Sequence, residues 1–164
     1  MKNKKALSGV VTVMILIGIT LAAGAMIWAV ISNLVNNKLD DASSCYGIYD
    51  RVQLNDEYTC YNLSAQTLQV SISLKDFKPD SVLISAQSDN NSVVKEIFSD
   101  SKFVEGVLPF SGIGINVSLP NEESGKTYVI SGVEYKPVKI YLAPKVSGTQ
   151  CEISDELSPI SFCL

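Results

Sequence analysis

The residues best equipped for chemistry in this 164-residue chain are four cysteines: Cys45, Cys60, Cys151 and Cys163. In a domain outside the cell, an even number of thiols reads as a disulfide framework. Three pairings are open. The local one, Cys45–Cys60 with Cys151–Cys163, is favoured, because each bond closes a short loop worth about 3 kcal/mol on the chain-entropy model. The rival pairing would tie the start of the domain to its end. Zinc ligation is not expected, since no spacing resembles a paired C-x-x-C knuckle.

Other chemistry is thinly represented. The chain has no histidine, which removes Ser-His-Asp and Cys-His arrangements and His-ligated metals. The acid pairs Asp56-Glu57, Glu122-Glu123 and Asp155-Glu156 fall near expected turns. Calcium would need six to eight converging oxygens, and neighbouring strand residues point to opposite faces, so these pairs read as solvated loops. Gly112-Ile113-Gly114 lacks the third glycine of a dinucleotide fingerprint and opens a strand rather than a helix. No catalytic residue, metal or cofactor is expected. Three sequons, at Asn62, Asn90 and Asn116, are candidate glycan acceptors, with Asn90 in an expected loop and the other two on candidate strands.

The elements that must position these groups divide sharply at the N-terminus. Lys2, Lys4 and Lys5 are followed by a stretch from Ala6 to Asn37 with no charged side chain. Leu7 to Val35 as a helix measures roughly 43 Å at 1.5 Å per residue, whereas a ~30 Å bilayer core needs only about 20 residues. The apolar region of a secretory signal is shorter still, about 7–15 residues. The lysines before the span, against Lys38 offset by Asp40 and Asp41 after it, place the N-terminus in the cytoplasm and the remainder outside. Gly18, Ala22, Ala25 and Ala29 recur at four, three and four residues, so they share one helix face; Ser32 and Asn36 continue it. Small faces of this kind let helices pack closely in lipid. Residues 38–44 read as a polar connector after the helix.

From Tyr46 onward the pattern changes from helical to alternating. Strands are expected over Thr67–Leu74, Ser81–Ser85, Ile113–Leu119, Thr127–Tyr135 and Val138–Leu142, with weaker ones at Tyr58–Leu63 and Val93–Phe98. Turn residues separate them at Lys78–Asp80, Ser88–Asn91 and Pro120–Gly125. The expected fold class is α+β: one long N-terminal apolar helix, then a mainly antiparallel β domain, a sandwich or small barrel, over residues 45–164. That length suits one domain with its own core. The formal net charge of −4 argues against a nucleic-acid partner, which needs a basic face.

Lys4-Lys5-Ala6-Leu7-Ser8-Gly9-Val10-Val11, running into an unbroken apolar helix, resembles the archaeal type IV pilin-like proteins with class III signal peptides, which include adhesion pilins and archaellins. The resemblance covers about the first 40 residues. It implies a leader of residues 1–6 cut by a membrane prepilin peptidase, with Lys5 and Ala6 as its last residues and Leu7 as the mature N-terminus, and a filament-core helix over 7–37. Bacterial type IV pilins have a glutamate at the fifth mature position, where this chain has Val11. The implied partners are copies of itself or related pilins, the peptidase, membrane lipid before assembly, and indirectly a secretion ATPase and membrane platform. The implied location is the cell membrane as a single span, then an extracellular filament for adhesion or motility. The alternative is a single-span anchored surface protein whose head binds a ligand or partner.

Overall fold

A helix without internal breakers continues until something stops it, and the chain has neither glycine nor proline between Gly24 and Gly47. In the computed structural model a single helix, α1, runs from Lys4 to Cys45, 42 residues or about 63 Å. It therefore passes straight through the expected connector at 38–44. Gly47, in the left-handed conformation at φ 77°, supplies the usual helix C-terminal signal. The structure describes residues 4–89 and 91–163, and within α1 the side chains of Gly9, residues 11–35 and Cys45 only. Met1–Asn3 of the expected leader, the side chains of Lys5, Ala6 and Leu7, and the sequon residue Asn90 lie outside the described residues. The chain divides into two units at Ser43/Ser44.

The head is built of two sheets. The first holds β1 (Val52–Leu54), β2 (Cys60–Asn62), β3 (Thr67–Leu74), β7 (Val107–Pro109), β9 (Ser124–Ser131) and β13 (Ser161–Phe162); the second holds β4 (Ser81–Gln87), β5 (Ser92–Phe98), β10 (Lys139–Val146), β11 (Thr149–Gln150) and β12 (Asp155–Leu157). A short ribbon pairs β6 (Lys102–Phe103) with β8 (Asn116–Val117). All described pairings are antiparallel except β13 with β2. Inward residues alternate along each strand: Leu68, Val70 and Ile72 of β3 and Tyr128 and Ile130 of β9 share one buried cluster with Val82 and Ile84 of β4 and Ile140 and Leu142 of β10. Two sheets around one core make the head a β-sandwich.

The expectations for β3 and β4 hold, and three others need correction. Ile113–Leu119 is a strand only at Asn116–Val117, because Gly112 (φ 68°) and Gly114 (φ 83°) turn the chain out of the β region. The strand expected from Thr127 starts at Ser124 and ends at Ser131. The strand expected to end at Leu142 runs on through Pro144 to Val146. Proline normally marks a strand end or edge, since it has no N–H for the ladder. Pro144 lies between the segments where β12 and β11 pair with β10, and its carbonyl accepts from Cys151 N on that side, so the missing donor falls in a gap between ladders.

Tyr128 illustrates how the core constrains chemistry. It is buried, and its hydroxyl donates to the Ser118 carbonyl at 2.8 Å. Burial holds its pKa well above the ordinary tyrosine value near 10. The unfolded chain therefore loses this proton first. The contribution of Tyr128 is fully present below about pH 10 and is lost as pH rises further, toward its folded pKa. Tyr128→Phe should flatten that alkaline decline and cost about 1 kcal/mol at neutral pH through the lost hydrogen bond; urea unfolding of wild type and variant between pH 7 and 11 measures both.

Candidate functional site

Between Val11 and Val35, α1 offers 25 residues of mean hydropathy 2.4, long and apolar enough to span a membrane. At 1.5 Å per residue this is about 37 Å, somewhat more than a ~30 Å hydrocarbon core. Helices that pack on a soluble core keep their apolar residues to one stripe. Here they occupy every face, and none of the span is buried within the chain. The large side chains, among them Met14, Leu16, Leu21, Ile27, Trp28 and Leu34, are all exposed. The small-residue positions Gly18, Ala22, Ala25 and Ala29 are exposed too, and a Cβ added at Gly18 would meet nothing within 4 Å. Thr20 turns its hydroxyl inward, donating to the Ile17 carbonyl at 2.9 Å, so it adds no free polar group to the surface.

The point where α1 becomes the head is covalently fixed. Cys45, its last residue, is bonded to Cys151, and Cys60 is bonded to Cys163. All four cysteines form disulfides as expected, but the local pairing is overturned. The topology brings together residues 106 and 103 positions apart in sequence. The parallel pairing of β13 with β2 places Ser161 opposite Cys60, and Cys163 N donates to the Tyr61 carbonyl at 3.0 Å. Sequence proximity counted for less than strand pairing.

Two further residues join the sheets of the head. Ser154 is buried, and its hydroxyl donates to the Val52 carbonyl at 2.7 Å. Asp155 Oδ2 accepts from Leu54 N at 2.7 Å, and its Oδ1 accepts from Glu156 N. Ser154, just before β12, and Asp155, its first residue, thus tie the second sheet to β1 of the first. Asp155 was expected to be a solvated loop acid; it is instead a half-buried acceptor in the strand β12. A Ser-Asp dipeptide in a polar segment carries no signal of this role, because the donor it meets is some 100 residues away.

The remaining sequence candidates sit apart. Asp56 and Glu57 lie in an exposed turn, where Glu57 N donates to Asn55 Oδ1 and Asp56 Oδ1, and Glu122 and Glu123 are exposed before β9. No three acid or cysteine side chains gather into a metal-binding group among the described residues. Asn62 is exposed and accepts from Ala65 N, and Asn116 is exposed on β8. A shallow groove beside the turn between β4 and β5 encloses only about 10 Å3, room for about one water, far below the roughly 300–1,000 Å3 of most small-molecule sites. Compared with known protein families, with curated proteins and with solved structures, the chain matches none.

Proposed function

We propose that the chain is a structural, non-enzymatic subunit of an archaeal type IV pilus-like surface filament serving adhesion or motility. The prepilin peptidase cuts it between Ala6 and Leu7. Before assembly α1 crosses the membrane with its N-terminus in the cytoplasm, and the disulfide-bonded head faces outward. A secretion ATPase and membrane platform then draw the helix from lipid into a bundle of its own kind. The observation that carries this reading is an apolar helix longer than a bilayer needs, with no face covered by its own chain. Some fifteen large apolar side chains at ~1.5–3 kcal/mol each would cost tens of kcal/mol in water, so the helix must exchange lipid for other helices rather than for solvent. Removing Lys2, Lys4 and Lys5 takes away charges that a packed helical core would leave unpaired. Outside the cell, glycans at Asn62, Asn90 or Asn116 would add to the solubility of an acidic head.

Intact mass and N-terminal sequencing of protein from cells test this, together with shearing. The expected result is a mature chain beginning at Leu7, recovered in the sheared fraction. An uncut chain that stays with the membranes overturns the proposal in favour of an anchored surface protein.

A further inference from the structure

The apolar part of α1 is longer than the hydrocarbon it would cross, so one end of it must stand outside. From Leu7 to Val35 the helix measures about 43 Å at 1.5 Å per residue. Fitting all of it into a ~30 Å core would take a tilt of roughly 45°, beyond the 0–40° that membrane helices adopt. The position of the boundary is then set by side chains that prefer the water–lipid interface, tryptophan and lysine among them.

The helix changes character at Trp28. On the N-terminal side, back to Ala6, the sequence has no charge and no side-chain amide. Its polar groups there are the hydroxyls of Ser8, Thr12 and Thr20, and that of Thr20 is turned onto the Ile17 carbonyl. Beyond Trp28 the residues alternate in pairs: Val30-Ile31, Ser32-Asn33, Leu34-Val35, and in sequence Asn36-Asn37. At 3.6 residues per turn, Val30, Ile31, Leu34 and Val35 share one stripe, with Ser32 and Asn33 on the other side. A helix apolar all round thus becomes amphipathic, as one leaving hydrocarbon for water should. Trp28 is the only tryptophan in the chain, and its side chain is 73% exposed. An indole joins a broad apolar face to one N–H donor, and so favours the headgroup boundary over the bilayer interior.

We infer that Leu7–Ile27 fills the hydrocarbon core of the bilayer, that Trp28 is seated at its far lipid–water boundary, and that Ala29–Val35 crosses the headgroup layer beyond. The inference rests on the membrane-spanning step of the reading above and does not require filament assembly. Length supports this register. Leu7–Ile27 is about 21 residues, or roughly 31 Å, against a ~30 Å core, and it is bracketed by Lys4-Lys5 at one end and Trp28 at the other. Centring the stretch Val11–Val35 instead would hold Trp28 only about 7.5 Å from the midplane, and would push Leu7 about 9 Å past the near boundary. That arrangement buries the residue suited to the interface and wets apolar residues at the other end. In the inferred register the midplane falls at Ile17, and the stripe of Val30, Ile31, Leu34 and Val35 lies outside the hydrocarbon from the start. If filaments form, the machinery then has roughly 31 Å of helix to draw from the hydrocarbon, not 43 Å.

Tryptophan fluorescence of the full-length protein in phosphatidylcholine vesicles tests this, because Trp28 reports a single site. The vesicles carry lipids brominated near the headgroup end, the middle or the tip of the acyl chain. Bromines near the headgroup should quench Trp28 at least twofold more than bromines near the chain tip. Two variants locate the midplane on a Trp28→Tyr background, which keeps an aromatic at the boundary: one adds Ile17→Trp and the other Ala23→Trp. The first should be quenched most by bromines at the chain tip, and should lie deeper than the second. Strongest quenching of Trp28 from the chain tip, or a deeper tryptophan at position 23 than at 17, overturns the register and leaves the span standing. A Trp28 untouched by every brominated lipid and quenched by acrylamide from the water overturns the span itself, and the register with it.

Discussion

Replacing Cys45 and Cys151 with serine should lower the stability of the head by roughly 3.5 kcal/mol, and then removing Cys60–Cys163 as well should cost nearly 5 more. The inequality is a consequence of the crossed connectivity. On the chain-entropy model an isolated loop of about 100 residues is worth about 4.7 kcal/mol, which applies to either bond alone, given separations of 106 and 103. With one bond present, the other closes a much shorter path: about 15 residues from Cys60 back to Cys45 and about 12 from Cys151 to Cys163. That loop of roughly 27 residues is worth only about 3.5 kcal/mol. Local pairing would instead make two independent loops whose removal is additive. Urea unfolding of full-length protein in detergent, followed by tyrosine near-UV circular dichroism, reads out all four members of the cycle. Equal and additive losses would refute the crossed arrangement. Since net stabilities are commonly 5–15 kcal/mol, the chain lacking both bonds should be largely unfolded.

The same crossed bonds show where reading the sequence succeeds and where it stops. Elements that depend on local pattern were legible. Thr67–Leu74 alternates strictly and forms β3 at those bounds; the unbroken apolar run forms α1. What failed depends on contacts distant in sequence. The cysteine pairing follows from β13 lying parallel to β2, a relation no spacing reveals. Pro144 stops a strand by local rules but is tolerated where two short neighbours leave a gap. Ile113–Leu119 has strand-like alternation, yet its glycines take left-handed conformations; Ile113 and Ile115 turn out to be surface, while Val117 and Leu119 are buried. Residues 38–44 looked like a connector because they are polar. Polarity alone does not end a helix; Gly47 does.

The candidate site was legible in part, and the division has the same cause. The small-residue face at Gly18, Ala22, Ala25 and Ala29 follows from helical periodicity alone; the rest of the span is exposed as well, so exposure does not set this face apart. Ser154 and Asp155, which fasten the two sheets, have no periodicity to betray them. If the chain assembles as proposed above, α1 gives up its lipid and must do so without loosening the domain attached to it. A disulfide at the helix's last residue, backed by two side chains that join the sheets, keeps a pull on α1 from unravelling the head at its first strand.

Changing Ala22 and Ala25 together to leucine should abolish filaments in the sheared fraction while leaving membrane insertion and the head intact. The substitutions make the helix more apolar, so insertion is not impaired. What changes is how closely two backbones can approach. Helices in an apolar surrounding gain from close packing rather than from burial, and small residues permit that approach. Overpacking costs about 1–3 kcal/mol per site in a dense interior, and in a filament every subunit bears it at both positions. Bulk on the opposite face is the contrast: Ile27 lies about half a turn round the helix from this stripe, and Ile27→Phe should leave assembly largely unchanged. Non-reducing electrophoresis confirms that the head retains both disulfides in each variant, so that a loss of filaments cannot be charged to misfolding. Abundant sheared filaments from the double-leucine chain would show that the small face is not where subunits meet. Equal losses from Ile27→Phe would show that the helix is packed on all sides with no preferred seam.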